Sequence, residues 1–234
     1  LRSEFDQMLL DNAREKGAEI ILGSQVLKVC FEDDRAVGVQ AKMPDGSEST
    51  IASTVVVDAS GQSSLIARRL KSKAVEPTLK KASIFTHYEG AHRDKGIDEG
   101  ATLILQTRDK DSWFWYIPLP DNRVSVGVVG DLQYLFKDRR KSAQQILDEE
   151  VELCIPVKEK IAGAKQVFPV QVTQDFSYQS CQISGEGWVL AGDAFGFLDP
   201  IYSSGVFLAL KSGEMIADAI GAAFEKEDFS GAQL

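Results

Sequence analysis

An apolar run that ends in Gly192-Asp193 carries the clearest chemistry in the sequence. Glycine lets the backbone approach a ligand closely, and the aspartate offers a carboxylate that accepts hydrogen bonds from the hydroxyls of a sugar or ribitol. After a loop, Ser204 precedes a predicted helix that begins at Gly205. Unpaired N–H groups and the dipole at a helix start favour an anion. The segment as a whole therefore predicts a site for a hydroxylated, anionic ligand, whereas Gly192-Asp193 alone also fits an ordinary strand-turn-helix with Asp193 as a turn residue.

Three other segments carry residue types that suit a ligand site. Residues 55–57 are apolar and lead through Asp58 to Gly61, and Ser63 is predicted to cap a short helix after this turn. Arg2 lies at the start of a segment with apolar residues at helical spacing. Residues 113–118, Trp-Phe-Trp-Tyr-Ile-Pro, alternate like a half-buried strand. Taken singly, each also fits an ordinary turn, a solvated arginine or a structural strand.

In order and separation, these segments resemble the FAD-contacting motifs of hydroxylase-type flavoproteins. Residues 187–205 are similar to the second FAD motif, in which the aspartate holds the ribitol and the loop wraps the isoalloxazine. Residues 55–67 look like the Asp-Gly motif that shapes the cofactor cleft, and residues 2–9 resemble its R-x-x-F-D-x-x-L helix. The resemblance implies FAD contacts from the following residues: Arg2, Val26, Asp58, Gly61, Gly192, Asp193, Pro200 and Gly205.

One pattern narrows the resemblance to the flavin-dependent halogenases. Residues 113–118 fit their W-x-W-x-I-P motif, although reductase and hydroxylase relatives can carry a similar strand. The resemblance implies that four residues line the catalytic tunnel: Trp113, Trp115, Ile117 and Pro118. It also implies a halide site formed by three residues: Ser203, Ser204 and Gly205. Tyr202 stands where tryptophan halogenases carry glutamate, which points to the phenol or pyrrole halogenases or to a non-halogenating relative.

The implied activity is that of an FAD-dependent oxidoreductase. In this reading, reduced FAD and O2 form a flavin hydroperoxide, which converts bound chloride or bromide into a halogenating agent for an aromatic substrate, free or carrier-tethered. Electrons come from a flavin reductase or NAD(P)H. The alternatives are an aromatic monooxygenase, an enzyme like geranylgeranyl reductase, and, from another class, a fragment that binds no cofactor.

Two features of such enzymes are missing from the sequence. No G-x-G-x-x-G follows a predicted strand, so the N-terminal βαβ unit that holds the FAD pyrophosphate is expected to lie outside this chain. The region that supplies the lysine for relaying hypohalous acid is absent as well. His87 and His92 are the only histidines, and His87 lies on a predicted sheet strand that could face the substrate, although a structural role is the simpler interpretation.

The predicted fold is a Rossmann-like α/β domain, lacking its first βαβ unit, with an inserted, mostly antiparallel sheet. Residues 1–74 and 177–234 are assigned to FAD binding, and residues 75–176 to a substrate-binding sheet domain. The predicted helices span about 5–17, 63–70, 142–154 and 205–224, with a further one from Pro156. The predicted strands are 20–22, 25–31, 36–42, 54–58, 82–88, 101–106, 113–118, 123–129, 166–173 and 188–191.

Composition excludes several other classes of protein. An apolar content of 44% supports a buried core, and 26 basic against 35 acidic residues make nucleic acid an improbable partner. The apolar stretches are far shorter than the ~20 residues of a membrane span. Cys30, Cys154 and Cys181 are widely spaced, which predicts no metal site but three reduced, mostly buried thiols in a cytoplasmic protein.

Overall fold

The computed structural model describes residues 1–137, 139–174 and 177–234. Its helices are α1 (Arg2–Glu15), α2 (Leu65–Arg69), α3 (Leu132–Phe136), α4 (Ala143–Leu153), α5 (Ile155–Lys160) and α6 (Gly205–Lys226). Its strands are β1 (Gln25–Glu32), β2 (Arg35–Lys42), β3 (Glu48–Ala52), β4 (Val56–Asp58), β5 (Lys73–Val75), β6 (Lys81–Glu89), β7 (Leu103–Gln106), β8 (Ser112–Leu119), β9 (Arg123–Asp131), β10 (Lys165–Gln166), β11 (Gln171–Gln174), β12 (Tyr178–Ser180), β13 (Ser184–Gly185), β14 (Trp188–Leu190) and β15 (Gly196–Phe197).

The chain divides into two compact units. The sheet unit comprises Leu1–Asp6 and Pro77–Phe176, and the split unit comprises Gln7–Glu76 and Ser177–Leu234. Both combine helices with sheets, so the predicted mixed α/β class with an antiparallel sheet is confirmed. No helix among the described residues is long and apolar enough to cross a bilayer.

An antiparallel sheet of order β10-β6-β9-β8-β7 forms the centre of the sheet unit, and β11 also pairs with β6. Side chains alternate between its two faces. One face packs against α4 and α5 to form the core, which includes Ile84, Phe114, Val126, Ile146 and Leu147. The predicted start of α4 is confirmed by a capping box between Ser142 and Gln145.

A buried carboxylate ties α4 to this sheet. Glu150 is fully buried, accepts hydrogen bonds from the Ser112 hydroxyl at 2.6 Å and the Tyr134 hydroxyl at 3.3 Å, and pairs with Arg139 at 2.8 Å. Because Glu150 is shielded from water, removing Arg139 would leave a buried carboxylate without its compensating charge. Glu150 therefore acts as an anchor for α4.

Glu150→Gln is expected to lower the free energy of unfolding by roughly 2–3 kcal/mol, because Arg139 loses its 2.8 Å ion pair and keeps only a 3.9 Å contact with the exposed Glu149 carboxylate. Chemical denaturation measures the change. The matched control is Glu149→Gln, one residue earlier on the same helix, where the side chain is 43% exposed and an effect below about 1 kcal/mol is expected. Equal losses for the two variants would contradict the anchoring role of Glu150.

Short sheets form the split unit: β1-β2-β3, β13-β14-β4 and β15-β12-β5. Strands β4 and β14 are parallel; a turn leads from β4 to α2, and a turn, the short strand β15 and a loop lead from β14 to α6. Val56, Ile66, Trp188 and Leu190 belong to the core around this pair. The two turns lie at the carboxyl ends of parallel strands, which is the usual edge for a ligand in α/β folds.

Some predicted elements are wrong. Residues 20–22 form no strand, since no described strand pairs with them and Leu22 is 61% exposed. Residues 166–173 are split into β10 and β11, because Pro169 has no N–H to donate to the ladder. Of the three free thiols, Cys154 is buried, but Cys30 is only partly buried and Cys181 is exposed, so the expectation of mostly buried thiols is also wrong.

Candidate functional site

A cavity of about 710 Å³ lies within the split unit, at the turn that follows β14. Its volume falls in the range of small-molecule and cofactor sites. Backbone and side chains of β5, β12, β15 and the start of α6 form its walls. Among the predicted site residues, it brings together Gly192, Asp193, Ser204 and Gly205.

Gly192 holds the turn against α6. Its φ of +52° is left-handed, and a Cβ at this position would lie 3.1 Å from the Cβ of Ala209. The Gly192 N–H donates to the Ser212 hydroxyl at 2.9 Å. Glycine is therefore required both by backbone conformation and by the close approach of the helix.

Asp193 places an ionisable carboxyl group in the cavity wall. Its side chain is half-buried, and this burial raises its pKa above the ordinary value. The Tyr178 hydroxyl donates to the Asp193 carbonyl at 2.7 Å, which fixes the turn to β12. The carboxylate has no hydrogen-bond donor among the described residues, so its acceptor capacity is available for ligand hydroxyls.

Asp193→Asn is expected to stabilise the cofactor-free protein at pH 7. A raised folded-state pKa means that stability falls as pH rises from the unfolded pKa through the folded pKa, because the charged form is penalised by burial. The gain in the free energy of unfolding should therefore vanish at a pH below the unfolded-state pKa of about 3.9. Thermal denaturation across pH measures it, with Asp218→Asn on the exposed surface of α6 as control. A loss of stability at pH 7 would contradict the account.

The loop before α6 leaves the first N–H groups of the helix available, since the first backbone bond of α6 runs from the Leu208 N–H to the Ser204 carbonyl. The Asp199 carboxylate accepts from Ile201 N–H at 2.8 Å, and Ser203 N–H donates to the Pro200 carbonyl at 2.9 Å. Ser203 has a left-handed backbone, with a φ of +51°. Its N–H is not available to a ligand, because it already donates to the Pro200 carbonyl. The Ser204 side chain makes no cap hydrogen bond, and the N–H groups of Ser204 and Gly205 have no acceptor among the described residues.

The Asp58 turn supports the Gly192 turn from the neighbouring strand. Asp58 is buried, and its carboxylate accepts from the N–H groups of Ser60 at 3.0 Å and Ile66 at 2.8 Å. Its carbonyl accepts from Ala191 N–H at 2.9 Å, and the Gly61–Ser63 turn contacts the Gly192–Ala194 turn. Asp58 therefore shapes the site through the backbone. It also replaces the predicted cap Ser63, because Asp58 and Ser60 receive the first N–H groups of α2.

Other predicted cofactor residues do not line the cavity. Arg2 belongs to the sheet unit and pairs with Asp6 at 3.1 Å on the surface of α1. Val26 is 40% exposed on β1, Gly61 lies in the supporting turn, and Pro200 contributes a carbonyl to the preceding loop. Their predicted contacts with FAD stay predictions.

Aromatic residues gather on the face of the sheet unit that is opposite its helices. Register places Phe85, Gly127 and Trp115 side by side, and His87, Ser125 and Ile117 in the next row. We call this surface the aromatic face; it carries Phe85, His87, Trp113, Trp115, Ile117, Ser125 and Gly127. Alternation puts Pro118 on the other face, apart from the three tunnel residues predicted beside it.

Trp115 is fixed in one orientation on the aromatic face. A Cβ on Gly127 would lie 2.2 Å from Cζ2 of Trp115, so the indole lies directly on the glycine backbone. Its Nε1–H donates to the Ser125 hydroxyl at 3.1 Å. The ring centroids of Phe85 and Trp113 lie 5.7 and 6.4 Å from that of Trp115, within the range of aromatic pairs.

A sequence profile that describes the tryptophan halogenase family matches residues 2–231. The chain belongs to the tryptophan halogenase family. The resemblance to flavin-dependent halogenases that the motifs predicted is thereby confirmed. The profile spans both units, so the sheet unit is part of the family pattern along with the Gly192-Asp193 turn.

Members of this halogenase family with named activities are similar along almost the whole chain. The 1H-pyrrole-2-carbonyl-(peptidyl-carrier protein) brominase of Pseudoalteromonas luteoviolacea is 34% identical, over 97% of this chain and 56% of its own length. The corresponding chlorinase of Pseudomonas fluorescens is 31% identical, over 98% and 51%. The myxobacterial chondrochloren halogenase, described as a new variant of FAD-dependent halogenases, has a TM-score of 0.89 at 31% identity, over 97% and 52%. The chain spans about half the length of the curated relatives it matches.

One wall of this cavity was not predicted from the sequence. Tyr178 and Ser180 of β12 and Val75 of β5 line it, and these strands pair although they are about a hundred residues apart in the chain. The sequence pattern that would indicate these two strands is weak, because each strand has only three residues. The aromatic Phe197, after the Gly192 turn, was a local hint, since its ring lies 3.3 Å from where a Cβ of Gly205 would be.

Proposed function

We propose that the complete protein is an FAD-dependent halogenase that acts on an electron-rich aromatic substrate, a phenol or a pyrrole. The observation that carries the proposal is the start of α6, where the N–H groups of Ser204 and Gly205 have no acceptor among the described residues and adjoin a cofactor-sized cavity. Family membership supports a flavin and a halide as the two ligands.

The residues of the cavity suit FAD. Gly192 admits close backbone approach, the Asp193 carboxylate can accept hydrogen bonds from ribityl hydroxyls, and the dipole of α6 favours the negative edge of a reduced flavin ring. Tyr178 and Phe197 add aromatic wall. When bound, FAD supplies the redox chemistry that uses O2 to oxidise halide. The chain's own residues orient the ring and keep water away from it.

The proposed halide site is formed by Ser204 and Gly205. Their N–H groups are adjacent at a helix start and can donate to one small anion. Ser203, the third residue predicted for this site, donates its N–H to Pro200, so we assign it a role in shaping the loop. Chloride and bromide are the proposed ions.

We propose that the aromatic substrate binds on the aromatic face. Trp113, Trp115 and Ile117 form the walls against which an aromatic ring would stack. The two bacterial relatives named for pyrrole groups on a peptidyl carrier protein support a substrate that can be carrier-tethered.

A flavin reductase or NAD(P)H is the proposed electron source. A cytoplasmic location, consistent with three free thiols, also belongs to the proposal.

The test uses the full-length protein with FAD, a flavin reductase, O2 and a panel of phenols and pyrroles. Mass spectrometry should find products in which one hydrogen is replaced by halogen, and bromide should compete with chloride. Asp193→Ala should reduce FAD retention on gel filtration. Products that carry added oxygen, at a rate indifferent to halide, would favour a monooxygenase. Loss of prenyl double bonds without O2 would favour a reductase.

A further inference from the structure

Two polar side chains interrupt the aromatic face beside Trp115. His87 on β6 and Ser125 on β9 are direct register partners, and Ile117 on β8 completes their row. The His87 ring is stacked on Phe168, with centroids 4.8 Å apart and planes inclined by 20°. Its ring nitrogens have no hydrogen-bond partner among the described residues. Neither nitrogen is one of the buried polar atoms that lack a partner. An imidazole fixed by stacking thus keeps its hydrogen-bonding edge available.

The hydroxyl of Ser125 also has capacity to spare. The indole Nε1–H of Trp115 can only donate, so the Ser125 oxygen must accept in the 3.1 Å contact between them. The proton of the hydroxyl is therefore free to donate. The row consequently offers an acceptor at His87 and a donor at Ser125, surrounded by aromatic and aliphatic surface.

The charge state of His87 suits an acceptor. Burial, with a smaller contribution from Arg123, lowers the pKa of His87, so the ring is neutral at pH 7 and one nitrogen carries a lone pair. The charged groups on the strands around it are Lys81 and Glu89 on β6, Arg123 and Asp131 on β9, and Lys165 on β10. Lys81 and Asp131 pair with each other at 3.1 Å at the far end of the strands, which leaves Glu89, Arg123 and Lys165 near His87. Glu89 lies in register with both cations, so it offsets part of their charge.

We propose that His87 is a specificity-determining residue that accepts a hydrogen bond from the O–H or N–H of the aromatic substrate, with Ser125 as the neighbouring donor. The inference rests on the proposed function and names the substrate class more closely. A hydrogen bond accepted from a phenol O–H or pyrrole N–H increases electron density in the ring, which favours attack by the ring on an electrophilic halogen. An aromatic without such a donor leaves the desolvated imidazole unpaired, which costs binding energy.

The experiment compares phenol with its methyl ether, which has a similar ring but no O–H donor. Binding to the full-length protein is followed by quenching of tryptophan fluorescence, so it needs no turnover. The wild type should prefer phenol by roughly tenfold, the size expected for one hydrogen bond. His87→Phe keeps the stack on Phe168 but should abolish this preference. His87→Gln supplies an amide oxygen and should retain most of it.

Unchanged FAD binding and thermal stability in both variants exclude misfolding as the cause. Equal affinity of the wild type for phenol and its ether, or a phenol preference that survives in His87→Phe, would overturn the assignment. A wild type that prefers phenol through His87 but forms no halogenated product would support the role of His87 while contradicting the proposed function, so the two failures are distinguishable.

Discussion

Replacing Gly127 with alanine is expected to displace the indole of Trp115 and to lower halogenation at least tenfold while FAD binding is retained. The new Cβ would lie 2.2 Å from Cζ2 and 2.5 Å from Cε2 of Trp115, distances that the backbone of β9 cannot relieve. The ring must leave its rotamer, and its hydrogen bond to Ser125 is lost. Overpacking of this kind typically costs about 1–3 kcal/mol of stability. Near-ultraviolet circular dichroism reports the ring, and steady-state kinetics report the activity.

A double variant tests whether the clash with Trp115 causes the loss of stability in Gly127→Ala. Gly127→Ala combined with Trp115→Leu should recover most of the lost stability, because the clash disappears, but should not recover activity. Gly130→Ala on the same strand is the control, since its Cβ would meet Leu135 at 3.2 Å and smaller adjustments suffice. If Gly127→Ala halogenates at the wild-type rate, Trp115 has no role in binding the aromatic substrate.

Ser204→Asp is expected to weaken the use of chloride at least a hundredfold without destabilising the protein. The new carboxylate would lie at the start of α6 and take the place of the anion. Two negative charges ~4 Å apart repel by about 4 kcal/mol at an effective dielectric constant of 20. A carboxylate at a helix start also stabilises the helix by roughly 0.3–1 kcal/mol. The measurement is kcat/KM for chloride, with the melting temperature taken in parallel.

Ser204→Asn is the matched control, because it has nearly the size of aspartate without the charge. It should retain chloride use within about threefold, since Ser204 contributes its backbone N–H and its side chain makes no cap bond. Wild-type chloride dependence in Ser204→Asp would show that the halide binds elsewhere.

Local motifs were predictable from the sequence because their chemistry is local. Gly192-Asp193 follows an apolar strand, and the structure places the pair in a cavity wall after β14. The start of α4 at Ser142 was predicted in the same way, and the structure adds its capping box with Gln145. The capping box joins residues three apart, and the turn after β14 is closed by the local bond from the Phe195 N–H to the Gly192 carbonyl, so little information from distant parts of the chain is needed to predict either motif.

Long-range features could not be read from the sequence. The wall at Tyr178 depends on the pairing of β12 with β5, and the polar row of the aromatic face depends on the register that sets His87 opposite Ser125. The inward orientation of the Asp58 carboxylate depends on the path of the chain into α2. Each requires knowledge of which distant segments meet, which apolar periodicity alone does not supply.

The most direct test of the account is a crystal structure of the full-length protein with FAD and bromide, in which anomalous scattering locates the halide. We expect the flavin ring in the cavity lined by Gly192, Asp193 and Tyr178, and a bromide within hydrogen-bonding distance of the backbone nitrogens of Ser204 and Gly205. A flavin outside this cavity, or a bromide bound away from the start of α6, would contradict it.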